Sequence, residues 1–252
     1  VLFRSTMARH LDPSDAQVKE ILGQLIQALN TPSQVVQEAV ANCFPSLIEA
    51  YRKESTSMMK ELNKALYDGT DYGKRKGAAY GIAGIAQGLG LQAIKQQTSF
   101  MRKAVQDPKV NKKIGGLIGI GVFASMLGRL FEPFIHQLLM SLLACYGDST
   151  TTIREAADDT SRALMSCMSA TGVRLTLPVL LKTIDQDTWR TKVGSVQLLA
   201  SMGNCAPKQL SICLPTIVPK IIEVLGDSHM KVQEASALAL KQLCAAIRNP
   251  EI

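Results

Sequence analysis

Residues Val36–Ala39 read VQEA, the same four letters recur at Val232–Ala235, and Ile153–Ala156 reads IREA, a near copy between them. Each copy ends in a small residue, which serves as an anchor for aligning the rest of the chain. Aligned in this way, small residues recur every 38 to 41 residues. The six anchors are Ala39, Gly77, Gly115, Ala156, Gly194 and Ala235. A near-constant period of this length indicates tandem structural repeats.

The polar residues around each anchor repeat as well. Two residues before the anchor stands a long polar side chain, and eight or nine residues before it stands Asn or Asp, which favour turns. The long polar residues are Gln37, Arg75, Lys113, Arg154, Lys192 and Gln233. The turn residues are Asn30, Asp68, Asp107, Asp148, Asp185 and Asp227. Six units therefore share one pattern.

The segment before each turn has the apolar spacing of one face of an α-helix, as at Leu22, Leu25, Ile26 and Leu29. Four units show this spacing fully. Units two and three follow it less closely, with their apolar positions shifted by up to two residues. Each unit is therefore predicted to fold as a helix, a short turn and a second helix. One hairpin cannot bury both of its faces alone, so neighbouring hairpins must stack.

The period of 38 to 41 residues is typical of HEAT and armadillo repeats. We therefore predict an all-α fold, an α-solenoid of about six HEAT-type helical hairpins in a single array. The predicted repeats are approximately 14–54, 55–90, 91–129, 130–172, 173–206 and 207–252. The chain does not begin with Met, and Val1–Ser5 fits none of these repeats, so we expect a fragment of a larger protein.

Composition and motifs argue against an enzyme. The six cysteines have no CxxC spacing and the three histidines lie far apart, so neither a metal site nor a cofactor is expected. The GxGxxA match at Gly119–Ala124 lacks the preceding strand that dinucleotide binding requires. The uncharged run 114–128 is too short to span a membrane. No Ser, His and Asp constellation can be assembled, so no catalytic residue is assigned.

The positive charge of the chain is local. The net charge is +7, and the segment Tyr51–Lys113 alone carries thirteen Lys or Arg against five Asp or Glu. Two clusters fall at equivalent places, at the predicted starts of the second helices of units two and three. Cations at a helix N-terminus oppose the helix dipole, so helix stability alone does not explain them. The candidate binding residues are Lys74, Arg75, Lys76, Lys109, Lys112 and Lys113.

A structural role competes for one residue of each repeat. Arg75, Lys113, Arg154 and Lys192 are placed to form a ladder with turn aspartates of adjacent repeats. We expect both roles, with one residue per repeat in the ladder and the remaining cations facing solvent. A one-sided basic surface of this kind would suit a phosphate backbone or an acidic protein.

Several long motifs, in order, resemble one protein family. They include Arg75–Gly81, Leu130–Pro133, Arg154–Asp159, Trp189–Val196, Cys205–Leu210 and Ala246–Ile252. Over residues 7–252 the chain resembles the central region of the very large eukaryotic HEAT-repeat translational activators of the starvation-responsive kinase of initiation factor two. That region is also similar to the HEAT domain of fungal translation elongation factor 3. Unit three departs most, with Lys112–Gly116 where a more charged run is expected.

The resemblance implies a ribosome-associated scaffold in the cytoplasm. Proteins of this family bind translating ribosomes, work with an ATP-binding-cassette partner and pass an uncharged-tRNA signal to the kinase. The kinase-binding segment lies further toward the C-terminus, so we expect this segment not to bind the kinase. The basic residues would contact ribosomal RNA or acidic ribosomal proteins, and no membrane partner is expected. The alternative is a general HEAT-repeat protein-protein adaptor of the transport or phosphatase-scaffold type.

Overall fold

The computed structural model describes residues 16–185, 188–205 and 207–246. Within these ranges the chain forms α-helices and one short 3-10 helix, with no strand, which confirms the predicted all-α class. The helices are α1 (Ala16–Ala28), α2 (Gln34–Ala41), α3 (Phe44–Ala50), α4 (Arg52–Asp68), α5 (Tyr72–Leu89), α6 (Leu91–Gln106), α7 (Val110–Leu127), η1 (Gly128–Leu130), α8 (Glu132–Tyr146), α9 (Thr151–Cys167), α10 (Ala170–Ile184), α11 (Trp189–Cys205), α12 (Pro207–Leu225) and α13 (Met230–Ala246).

The helices alternate as first and second helices of antiparallel pairs. The first helices are α1, α4, α6, α8, α10 and α12, and in the first pair the second helix is divided into α2 and α3. Short polar turns separate the helices of a pair, and caps fix where some of them begin. Asp71 accepts a hydrogen bond from the backbone N of Lys74 at 2.7 Å and so caps α5. The predicted boundaries of the six repeats stay a prediction.

Within the described residues the chain divides into two compact units, of which the first ends at Leu127 and the second begins at Gly128. In the first unit the second helices form a continuous layer, because α2 and α3 pack against α5 and α5 packs against α7. Of the first helices, α4 packs against α5 and α7, and α6 packs against the same two helices. The fully buried side chains include Leu25, Phe44, Leu66, Ile82 and Met101.

The second unit has two helical layers. The first helices α8, α10 and α12 pack in sequence, and so do the second helices α9, α11 and α13. The fully buried side chains of this unit include Leu138, Leu164, Leu180, Leu199 and Val232. Each layer buries the apolar face of the other, as stacked hairpins require.

Helix α7 is the most apolar helix of the described chain. By length and composition, 110–130 is the one segment of the described residues that could cross a membrane. In the first unit, however, α7 packs against α4, α5 and α6, and ten of its residues are buried, from Gly115 to Leu127. A core helix surrounded by other helices has the same composition, so α7 is a core helix here.

The six anchors all lie in second helices. Ala39 is in α2, Gly77 in α5, Gly115 in α7, Ala156 in α9, Gly194 in α11 and Ala235 in α13. The glycines are buried and the alanines are half-buried. A Cβ atom at Gly77 would lie 1.9 Å from the carbonyl oxygen of Leu29, and one at Gly115 would lie 2.6 Å from that of Leu66. Glycine therefore lets α5 approach the end of α1 and lets α7 approach the end of α4, which is in each case the first helix of the preceding repeat.

Candidate functional site

Two side chains tie the first turns of α2, α5 and α7 together. The Nε2 of Gln37 donates to the carbonyl oxygens of Leu29, at 3.2 Å, and of Gly73, at 2.8 Å, which links α2 to the start of α5. The Nε of Arg75 donates to the carbonyl of Leu66 at 3.0 Å, and its Nη2 donates to the carbonyl of Asn111. The second bond links α5 to the start of α7. The first turns of these three helices therefore lie in a row.

Of the two roles expected for this cluster, Arg75 takes the structural one, with backbone carbonyls as partners in place of a turn aspartate. Its side chain is in the core, with the residue only 4% exposed, and its guanidinium is committed to backbone carbonyls. Burial lowers the pKa of this guanidinium from its ordinary value, because the charged form loses solvation. Arg75 is therefore a structural tether between repeats and is removed from the candidate phosphate-binding residues.

Five lysines remain, and we call them the basic edge: Lys74, Lys76, Lys109, Lys112 and Lys113. They lie in or directly before the first turns of α5 and α7, which the Arg75 tether holds side by side. Lys74 and Lys109 are exposed, and the other three are half-buried. The basic edge is therefore a compact group of cations within the first unit.

Lys76 and Lys112 of the basic edge each contact a neighbouring side chain. The Nζ of Lys76 donates to Oε1 of Gln34 at 2.8 Å and lies 5.9 Å from the centre of the Tyr72 ring. The Nζ of Lys112 forms an ion pair with Oδ2 of Asp107 at 3.0 Å. These contacts orient the two ammonium groups without enclosing them.

The pKa of Asp107 is lowered from its ordinary value. The main cause is a hydrogen bond from the backbone N of Lys109, at 2.9 Å, and the Lys112 side chain adds to it. Asp107 therefore stays ionised at neutral pH and partly neutralises the edge. Asp71, which caps α5, contributes a second carboxylate beside the edge. The segment Tyr51–Lys113 as a whole keeps an excess of positive charge, with thirteen Lys or Arg against five Asp or Glu.

In the second unit, the predicted ladder residues Arg154 and Lys192 also make contacts that hold turns and helices in place. The Nζ of Lys192 pairs with Oδ2 of Asp227 at 2.6 Å, and this contact joins a ladder residue to the turn aspartate of the next repeat, as expected. Arg154 behaves differently, because its Nη1 donates to the carbonyl oxygens of Asp148 and Ser149, both at 2.8 Å, within its own turn. The ladder position is therefore structural, but its partner is often a carbonyl oxygen.

An aromatic and cationic cluster in the second unit was missed from the sequence. The rings of Trp189 and His229 stack with centroids 4.1 Å apart and an interplanar angle of 13°. Arg190 and Lys231 lie 4.6 and 5.5 Å from the Trp189 ring centre. The sequence signal for this cluster is that its two rings occupy similar places in successive repeats. Trp189 and His229 precede their anchors by five and six residues.

Within residues 16–185, 188–205 and 207–246, no group of three or more His, Cys, Asp or Glu side chains is placed to hold a metal ion. Burial raises the pKa of the Tyr67 and Tyr146 phenols, so both stay protonated at neutral pH. The arrangement presents charge at a surface and holds helices together.

Comparison with known proteins identifies relatives along the whole chain. The family model described as EF3 N-terminal HEAT repeat matches residues 75–240. The "Stalled ribosome sensor GCN1" of Mus musculus and of Homo sapiens is 49% identical over 255 residues, which covers 100% of this chain and 10% of the relative. The "eIF-2-alpha kinase activator GCN1" of Saccharomyces cerevisiae is 36% identical over 259 residues, again 100% of this chain and 10% of the relative. The chain thus spans about a tenth of the length of these relatives.

Solved structures show the same fold at low sequence identity. The MAST/Orbit N-terminal domain has a TM-score of 0.54 at 15% identity and covers 76% of this chain and 84% of that chain. The karyopherin Kap121p bound to the SUMO protease Ulp1p has a TM-score of 0.56 at 14% identity and covers 93% of this chain and 30% of that chain. Together with the family model, these likenesses confirm the predicted HEAT-type α-solenoid class.

Proposed function

The chain belongs to the family of EF3 N-terminal HEAT repeats, and from that premise we propose that it is a ribosome-binding scaffold segment of a translational regulator. The regulator would promote activation of the starvation-responsive kinase of initiation factor two. The names of the relatives, a stalled ribosome sensor and an eIF-2-alpha kinase activator, support this proposal. The segment is non-catalytic in this proposal and acts in the cytoplasm.

The basic edge is the observation that carries the proposal. Its lysines project from adjacent helix starts that Arg75 holds together, so they form a pre-arranged group. A pre-arranged group of cations attracts an extended anionic surface with little loss of conformational freedom on binding. Ribosomal RNA phosphates or acidic ribosomal proteins present such a surface. We place the ribosome contact of this segment at the basic edge.

The other partners are assigned to the full-length protein. An ATP-binding-cassette partner and the kinase would act with the regulator as a whole. The kinase would be bound by a segment further toward the C-terminus. This segment would then contribute by holding the regulator on the ribosome.

Co-sedimentation and crosslinking test the proposal. The chain is expected to pellet with purified ribosomes, and amine-reactive crosslinks to the ribosome are expected at the exposed Lys74 and Lys109. The exposed Lys19 and Lys95, which lie away from the basic edge, serve as internal controls and should crosslink less. A chain that stays in the supernatant, or crosslinks spread evenly over exposed lysines, would contradict the proposal and favour a general protein adaptor.

A further inference from the structure

A cleft of about 450 Å³ opens in the first unit beside the basic edge. Lys60, Asn63 and Tyr67 of α4 line one side, and their spacing of three and four residues puts them on one helical face. Phe100 and Lys103 of α6 line the other side. Helices α4 and α6 each pack against α5 and α7, and the cleft lies between α4 and α6. Its volume is within the range of sites that bind small molecules.

Two buried polar atoms of the cleft-lining residues lack hydrogen-bond partners among the described residues. They are Oδ1 of Asn63 and the phenolic oxygen of Tyr67, and both atoms are buried. The Nδ2 of Asn63 donates to the carbonyl oxygen of Met59 at 2.7 Å, which fixes the amide and leaves Oδ1 as an acceptor. Burial raises the pKa of Tyr67, so its hydroxyl keeps the proton and can donate. Two lining residues of the cleft therefore have an unused acceptor and an unused donor.

The rim of the cleft is positively charged and carries an exposed aromatic ring. Lys60 and Lys103 are exposed, and Lys112 joins them from α7, whereas Asp107 is the lining carboxylate. Phe100 is 41% exposed, which is high for a large apolar side chain. An aromatic face between lysines is the arrangement by which proteins hold single-stranded nucleic acid, with bases on the ring and phosphates on the cations.

We propose that this cleft binds one unstacked base of a single-stranded RNA segment, with the base against Phe100 and the flanking phosphates at Lys60 and Lys103. The edge of the base would hydrogen-bond to Asn63 and Tyr67. This inference rests on the proposed ribosome contact and assigns ribosomal RNA as the partner of the segment. A base edge combines N–H donors with acceptors, which matches the two unpaired atoms.

An acidic peptide is the competing occupant of the cleft. Its carboxylates would suit the lysines, and its backbone N–H groups could donate to Oδ1 of Asn63, so neither feature decides the partner. A glutamate or aspartate side chain, however, has no planar ring to stack on the exposed Phe100. The aromatic ring between lysines therefore favours RNA over an acidic peptide.

The test measures binding of the whole chain to a fluorescently labelled single-stranded RNA of about eight nucleotides, a length within known site sizes. Phe100→Ala is expected to weaken binding roughly 5- to 100-fold, because it removes a stacking surface. Leu91→Ala is the matched control, since Leu91 is an exposed apolar residue of the same helix at 61% exposure. It should bind as the parent does. An oligomer of the same length without bases should bind weakly and be insensitive to Phe100→Ala.

A second pair of variants tests the charged rim. Lys103→Gln should weaken RNA binding more than Lys95→Gln, since both lysines are exposed on α6 and only Lys103 lines the cleft. A glutamate-rich peptide is the competing probe. If the peptide binds in a Phe100-dependent way while RNA with and without bases binds equally, the cleft is a peptide site and the RNA assignment is wrong.

The two proposals, RNA binding in the cleft and ribosome binding by the chain, can be tested separately. A chain that pellets with ribosomes, while Phe100→Ala and Leu91→Ala bind RNA equally, would overturn the cleft and leave the ribosome contact standing. RNA binding that depends on Phe100, in a chain that does not pellet with ribosomes, would support the cleft and overturn the ribosome contact.

Discussion

The Nε of Arg75 donates to the carbonyl oxygen of Leu66 over 3.0 Å. Leu66 lies in the last turn of α4, where carbonyl groups have no partner within the helix, so the arginine satisfies an oxygen that would otherwise be unpaired. The same guanidinium also donates to the carbonyl oxygen of Asn111. One side chain therefore links the end of α4 to the start of α7. The position of the exposed lysines depends on this buried cation.

Replacing Arg75 with methionine is expected to destabilise the chain by about 1–3 kcal/mol, since it leaves buried carbonyls without their donors. Lys74→Met is the control, because Lys74 is exposed and its side chain should contribute within about 0.5 kcal/mol. Urea denaturation followed by circular dichroism measures both. Equal stability of the two variants would show that Arg75 is not a tether.

Gly77→Ala is expected to destabilise the chain by about 1–3 kcal/mol or more, because the new Cβ would lie 1.9 Å from the carbonyl oxygen of Leu29. Gly23→Ala should instead stabilise it by up to about 1 kcal/mol, since Gly23 is inside α1 with nothing within 4 Å of the new atom. Thermal melts of the two variants should move in opposite directions. A melting temperature unchanged in Gly77→Ala would contradict the close approach of α5 to the end of α1.

The ion pair of Lys192 with Asp227 should make stability depend on pH. The hydrogen bond from Lys192 is the main cause that lowers the pKa of Asp227 in the folded chain. A lowered folded-state pKa gives a contribution that is fully present above the unfolded value, roughly 3.9, and is lost as the pH falls through the folded value. The stability difference between the parent and Asp227→Asn should therefore shrink in acid.

Urea midpoints from pH 7 to pH 3, measured for the parent and for Asp227→Asn, check this expectation. The urea midpoints of the parent and of Asp227→Asn should differ at neutral pH, and the difference should decrease toward pH 3. A separation that stays constant over the whole range would mean that the carboxylate charge does not carry the effect.

His229→Ala should change the environment of Trp189, which is the one tryptophan of the chain. The histidine ring covers a face of the indole at 4.1 Å, so its removal should expose that face to water. The emission maximum should move to longer wavelength, and quenching by acrylamide should become more efficient. An unchanged spectrum would show that the stack does not persist in solution.

The sequence predicted the helical hairpins because their signals are local and periodic. The apolar faces depend only on residues within one repeat, and the anchor spacing repeats from one unit to the next. The structure confirms the all-α HEAT fold. The repeat pattern singled out Arg75 from Lys74 and Lys76 as the residue with a structural role, but it indicated a turn aspartate as its partner. The burial of Arg75 on backbone carbonyls depends on where α4 ends relative to α5 in three dimensions, which no spacing within the cluster encodes.

Only a weak sequence signal indicates the cleft between α4 and α6. Units two and three, which form it, are the two whose apolar spacing departs from the pattern of the other units. Such a shift indicates altered packing of the first helices but does not say that a cleft results. The unpaired atoms of Asn63 and Tyr67 become visible only once the neighbouring helices are in place.

The salt dependence of ribosome binding tests the central claim most directly. The edge variant carries Gln in place of Lys74, Lys76 and Lys109, and the control variant carries Gln in place of the exposed Lys19, Lys53 and Lys95, so both lose the same charge. Circular dichroism must first show that both are folded as the parent is. If the edge lysines meet RNA phosphates, the slope of log affinity against log salt should flatten by up to about 2 to 3 units in the edge variant. The control variant should keep the parent's affinity and slope, whereas an edge variant that binds ribosomes with the parent's affinity and slope would contradict the account.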